Sequence, residues 1–170
     1  MKKQPAKRYY FAYGSNTNLD QMTRRCPNAK PVGAVMLYNY TLHFNGNFGG
    51  NGVANIRRKN GGLVYGLLWE ITPECEASLD RYEGFPTLYT KQNIKVFTDN
   101  DTEYKAMVYV MTPAYRQPAL PSKQYFNGIY EGFKQNGLGV YALDLALDET
   151  RTKIESKGGK THGQYRQLLW

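Results

Sequence analysis

The chain has little of what most enzyme chemistries use. Its 170 residues include two histidines, His43 and His162, and two cysteines, Cys26 and Cys75. Neither histidine has an acidic or cysteine neighbour at ligand spacing, which argues against a metal site. A Ser–His triad meets the same scarcity, and no nucleophile-elbow pattern surrounds Ser15. His43 alternates with Leu42 and Phe44 and reads as a half-exposed strand histidine. The cysteines lie far apart and outside any CxxC spacing; spacing alone decides no disulfide, and both read as reduced thiols. The glycines between Asn45 and Gly52 match neither a Walker loop nor a dinucleotide fingerprint. No apolar run is long enough to cross a bilayer, and the basic start "MKKQPAKRYYFAY" lacks the apolar core of a signal peptide. A soluble, cytoplasmic protein without a membrane partner is expected.

What is present is apolar and aromatic. Hydrophobic residues make up 41 % and aromatic residues 14 %, with 15 tyrosines, which places the chain among folded domains rich in strands and pocket walls. Its length suits one domain over 1–170 with a core that needs no staples. The net charge of +8 raises nucleic acid as a partner. Much of the excess lies in Lys2, Lys3, Lys7 and Arg8 and in Arg151, Lys153, Lys157, Lys160 and Arg166. These terminal segments, 1–7 and about 151–170, read as solvated, with no specific nucleic-acid partner.

"RYYFAY" reads as a strand, followed after "GSN" by a short helix capped by Asn16 or Asn18 and ending at Arg25, before Pro27. "PVGAVMLYNYTLHF", "VANIRR" and "GLVYGLLWEI" are strand candidates, the last apolar enough to be central, with Gly66 marking a bulge or a close backbone approach. Thr72 caps a helix that starts at Pro73 and runs to about Tyr82. "LYTKQNIKVFT" and "TEYKAMVYVM" form a hairpin, and Ser122 caps a helix stopped by Gly137. One more short helix spans 141–149. This order gives an α+β fold with a mixed, mostly antiparallel sheet closing into a small barrel of about six strands with flanking helices.

Two segments carry the chemistry. Tyr13-Gly14-Ser15-Asn16 joins a strand to a helix and is either turn punctuation or a cradle of backbone N–H groups. Glu83, in "LDRYEGFPTLY", sits at the negative end of a helix dipole, where a carboxylate binds a proton more readily; it is either a general base or the surface partner of Arg81 or a lysine.

"YFAYGSNTNLDQM", "GLVYGLLWEITPECEASLDRYEGFPTLY" and "LPSKQYFNGIYEGFKQNGL" together, in this order, resemble the gamma-glutamylcyclotransferase family, including its AIG2-like and BtrG-like members, over Arg8 to about Leu145. The resemblance implies a cofactor-free reaction in which the α-amine of a γ-glutamyl amine, amino acid or small peptide closes on its own γ-carbonyl, releasing 5-oxoproline and the amine. It implies that Glu83 is the acid/base group and that Tyr13, Gly14, Ser15, Asn16, Thr17 and Asn18 hold the glutamyl moiety. Tyr125 matches the tyrosine of the family's late helix, as a pocket residue or as part of the core beside it, and Tyr89 is a candidate pocket wall. Thr17 stands where relatives often carry an apolar residue. A non-catalytic small-molecule binder using the same pocket is the rival reading. The partner in either case is a small molecule; the sequence assigns no oligomeric state.

Overall fold

A computed structural model describes residues 6–47 and 49–157. Five strands and four α-helices follow in the order β1 (Arg8–Ala12), α1 (Leu19–Arg25), β2 (Lys30–Gly46), β3 (Gly52–Ile71), α2 (Pro73–Glu83), β4 (Tyr89–Phe97), β5 (Glu103–Met111), α3 (Lys123–Gln135) and α4 (Tyr141–Lys157). The strands close into a barrel in the order β1-β3-β2-β4-β5, with β5 returning to β1 through a parallel contact at Tyr10 and Met107.

The barrel has five strands where about six were expected, because "VANIRR" and "GLVYGLLWEI" belong to one strand. Lys59-Asn60-Gly61-Gly62 looked like a break. Instead the register steps from Tyr38↔Leu63 to Tyr40↔Arg58, and the extra residues are absorbed as a bulge. Asn39 takes a positive φ there, and its side-chain Oδ1 accepts from the Gly61 N–H at 3.1 Å, which holds the irregularity in place.

β3 is central, flanked by β1 and β2. Gly66 marks a close approach there: a Cβ at this position would overlap the Ala12 carbonyl oxygen and the Phe11 ring. Gly66→Ala is therefore expected to destabilise the fold by about 3 kcal/mol, as overpacking does. Thermal unfolding should register a fall of about 6–12 °C in Tm; an unchanged Tm would show that β1 and β3 can separate without loss.

β1 is buried on both faces, which is why "YYFA" lacks polar alternation. Phe11 joins the core shared with Leu37, Phe44, Phe126 and Ile129, while Tyr10 and Ala12 join a second cluster with Met22, Trp69 and Leu79 beneath α1 and α2. Burying apolar surface on both sides fixes β1, and with it the turn at its end.

Three expectations are corrected. Cys26 and Cys75 are not free thiols: they form a disulfide, because the last turn of α1 packs on the first turn of α2 with the two Cα atoms 5.1 Å apart. His43 is not half-exposed; it is 5 % exposed, because α4 lies across β2. The final helix does not stop near residue 149 but continues through Lys157, so Arg151, Lys153 and Lys157 belong to a helix. Of the other basic residues of the two ends, Lys7 and Arg8 are exposed and pair with Glu70 and Glu76, and Lys2, Lys3, Lys160 and Arg166 lie outside the described residues, as does His162. Among the described residues, no helix is long and apolar enough to cross a membrane.

Candidate active site

The first wall of the site is the turn after β1. Gly14 leads into a 3-10 turn over Ser15–Thr17, and Asn18 caps α1 by accepting from the Gln21 N–H at 3.1 Å. Gly14 is needed for closeness: a Cβ there would stand 3.0 Å from the Ala54 Cβ. The turn is pinned from below by Trp69, whose indole N–H donates to the Asn16 carbonyl at 2.9 Å, and from the side by Asn136, whose amide donates to the Thr17 carbonyl at 2.8 Å.

The second wall is the end of α2. Thr72 caps this helix, Pro73 opens it, and Gly84 closes it in the left-handed conformation at φ 66°, leaving Glu83 as the last helical residue. Its orientation is set by ties to the sheet. The Tyr109 hydroxyl donates to Asp80 Oδ1 at 2.6 Å, and Lys91 bridges Glu76 at 2.9 Å and Asp80 at 3.0 Å.

The two walls meet across one pocket lined by Tyr10, Tyr13, Gly14, Ser15, Asn16, Ala54, Glu83, Tyr89, Tyr109 and Tyr125. Asn16 Nδ2 donates to Glu83 Oε1 at 3.2 Å and to the Tyr10 hydroxyl at 3.0 Å. Burial raises the Glu83 pKa to about 7, against the pull of the Arg25 cation, which lowers it. Glu83 forms no ion pair among the described residues, so the surface pairing with Arg81 or a lysine is not what the fold uses.

The tyrosines divide by what their hydroxyls do. Tyr13 donates to the Tyr109 carbonyl at 2.7 Å, and Tyr89 donates to the Ala54 carbonyl. Tyr10 and Tyr125 instead accept, from Asn16 and from the Ala54 N–H at 3.0 Å respectively, so each keeps its own proton available to the pocket. Burial raises the pKa of all five pocket tyrosines, Tyr10, Tyr13, Tyr89, Tyr109 and Tyr125, so they stay neutral donors at physiological pH.

Of the residues singled out in the sequence, Tyr13, Gly14, Ser15, Asn16, Glu83, Tyr89 and Tyr125 are brought together. Thr17 and Asn18 lie behind the pocket. The Thr17 hydroxyl donates to the Gly14 carbonyl at 2.7 Å and is fully buried, which is how a polar side chain occupies a position suited to an apolar one. Asn18 ties α1 to α3 by donating to the Gly128 carbonyl at 2.9 Å.

Tyr10, Ala54 and Tyr109 were not anticipated, and neither was Arg25. Arg25 Nη1 donates to Asn16 Oδ1 at 2.6 Å and to Ser15 Oγ at 3.0 Å, Nη2 donates to Gln21 at 2.8 Å, and the guanidinium stacks on Tyr82 at 3.6 Å from the ring centroid. Because guanidinium only donates, it fixes the Asn16 oxygen toward itself and turns the Asn16 NH₂ toward Glu83. A second basic residue beside Arg24 at the end of a helix reads as dipole compensation, so its inward role left no local signal. Among the described residues no group of His, Cys, Asp and Glu is placed to hold a metal ion.

The sequence and the fold both have counterparts among known proteins. Residues 10–127 match the family model described as gamma-glutamyl cyclotransferase, AIG2-like. The mouse gamma-glutamylcyclotransferase is 36 % identical over 137 residues, covering 76 % of this chain and 71 % of the relative, and the human one is 33 % identical over 136 residues with the same coverage. A solved gamma-glutamyl cyclotransferase structure superposes with a TM-score of 0.72 at 28 % identity, covering 94 % of this chain and 93 % of that one. The chain belongs to the AIG2-like gamma-glutamyl cyclotransferase family and is an enzyme of that kind.

Proposed function

We propose that the protein converts a γ-glutamyl amine, amino acid or small peptide to 5-oxoproline and the released amine, with Glu83 as general acid/base. The observation that carries this reading is the shared pocket, in which the Glu83 carboxylate and the turn from Tyr13 to Asn16 face each other.

The chemistry sets the requirement. An α-amine has a pKa of about 8 and is mostly ammonium at neutral pH, so it attacks only after losing a proton. A carboxylate of ordinary pKa, about 4, would take that proton nearly four units uphill. At about 7, Glu83 is within roughly one unit of the amine and is still half ionised at neutral pH. The freed nitrogen attacks the γ-carbonyl carbon and a C–N bond forms. The bond from that carbon to the leaving nitrogen then breaks as the proton held on Glu83 passes to the leaving nitrogen, and the ring nitrogen gives its second proton to the released amine or to solvent, leaving the neutral lactam.

The carbonyl oxygen becomes negative as the ring closes. The leading N–H groups of a helical turn have no intrahelical partner, and those after Gly14 supply donors for that charge. In this reading Tyr13, Gly14, Ser15 and Asn16 hold the glutamyl moiety directly, Thr17 and Asn18 hold the turn, and Tyr10 and Tyr125 offer hydroxyl protons to the substrate. Intramolecular attack needs only a folded substrate pose and no cofactor.

The test is incubation with a panel of γ-glutamyl amines, γ-glutamyl amino acids and short γ-glutamyl peptides, with 5-oxoproline measured by mass spectrometry. Product from at least one class is expected. Saturable binding of panel members without any 5-oxoproline would overturn the reading and leave a binding protein.

A further inference from the structure

His43 sits away from the proposed pocket, on β2 under α4, and its surroundings do not balance. Lys153 Nζ lies 3.1 Å from His43 Nδ1, and Arg57 Nη2 lies 3.3 Å from His43 Nε2. Burial, then the charges of Arg57, Lys153 and Lys59, lowers the His43 pKa to about 3, so the ring is neutral at physiological pH. A neutral imidazole has one N–H and one acceptor nitrogen, whereas ammonium and guanidinium only donate. One of the two contacts therefore sets an N–H against an N–H.

Charge is unbalanced as well. Among the described residues, no carboxylate forms an ion pair with Arg57, Lys59 or Lys153. Glu149, one turn earlier on α4, attracts Lys153 only at longer range, and the neighbouring Asp148 is paired with Arg151 at 3.0 Å. The segments outside the described residues, 1–5, 48 and 158–170, contain no aspartate or glutamate.

An oxyanion resolves both faults. One tetrahedral group set at the ring nitrogen that bears the proton accepts from the imidazole N–H and from the cation beside it, which removes the clash, and its charge offsets the cation across the ring. We propose that the seam between His43 on β2, Arg57 on β3 and Lys153 on α4 is a binding site for a phosphate-like oxyanion, either free phosphate or the phosphoryl group of a monoester. It is independent of the proposed reaction. Bound there, the anion ties α4 to the barrel beside the existing bond from the Phe44 N–H to the Thr150 hydroxyl at 3.3 Å.

The experiment is thermal unfolding of the full chain in an oxyanion-free chloride buffer, titrated with inorganic phosphate, with glycerol phosphate, or with sodium chloride to the same ionic strength. Phosphate at ten times its Kd should raise Tm by about 3–6 °C above the chloride control. Arg57→Gln and Lys153→Met should each remove most of that rise. An equal response to glycerol phosphate assigns the site to phosphoryl groups generally, and a response to phosphate alone assigns it to the free ion. No rise beyond chloride in the native chain, or an undiminished rise in both variants, would overturn the proposal. In that case Lys153 relieves the clash by releasing its own proton and accepting from the ring.

Discussion

Glu83→Gln is expected to lower 5-oxoproline formation by about 10²–10⁴-fold, the range associated with loss of a general acid/base. The fall should appear in kcat, with KM little changed, because the amide keeps the shape and the Asn16 contact while losing the proton acceptor. The same substitution should stabilise the protein at alkaline pH. The folded-state pKa of Glu83, about 7, is above its ordinary value, so between the two pKa values the folded state binds more protons than the unfolded state. Stability from this group therefore falls as pH rises from about 4.5 to 7, and the whole penalty is present above that window. Glutamine carries no such penalty, so the variant should unfold at a higher temperature than the native chain at pH 8 and at nearly the same temperature at pH 4. An active Glu83→Gln protein, or one no more stable at pH 8, would remove Glu83 from its role. This combination of lost turnover and gained stability is the signature of a charge buried for chemistry.

The place of Glu83 at the end of α2 was legible in the sequence because helix punctuation is local, whereas its reading as a base over a surface ion pair rested on the family resemblance. Thr72 and Pro73 mark one end of α2, Gly84 and Pro86 mark the other, and a carboxylate between a helix terminus and a left-handed glycine stands out. Which way it points was not legible. That depends on Asp80 meeting Tyr109 and Lys91 across the sheet, contacts between residues far apart in the chain. Tyr10 shows the same limit: in "RYYFAY" it is one aromatic among several, and its selection for the pocket follows from the Asn16 side chain folding back onto it. The strand count failed at Gly61-Gly62 for a related reason. Glycines that usually end a strand here lie against the bulge at Asn39, and only the partner strand distinguishes a bulge from a break. The disulfide is the plainest case, since Cys26 and Cys75 are neighbours only through the packing of α1 on α2.

Arg25 carries the second large effect. It touches Asn16 and Ser15, not Glu83, in the hydrogen-bond network, so it is a positioning residue whose charge also holds the Glu83 pKa down. Arg25→Met removes both influences. Without the guanidinium, the contact that fixes the Asn16 amide oxygen away from Glu83 is lost, and misplacement of a reacting group on this scale costs about 10²-fold in kcat/KM. Loss of the cation should also move the acid limb of the kcat/KM–pH profile upward from near 7, because that limb reports the free enzyme's base and burial is then unopposed. Arg25→Lys separates the two contributions. Lysine restores a positive charge but not a planar fork able to reach Ser15, Asn16 and Gln21 together, so the acid limb should return toward its native position while most of the rate stays lost. A purely structural arginine would lower the rate in both variants without moving the limb in either. The two pH profiles therefore decide whether α1, through one side chain at its end, sets both the geometry and the proton affinity of the group on α2.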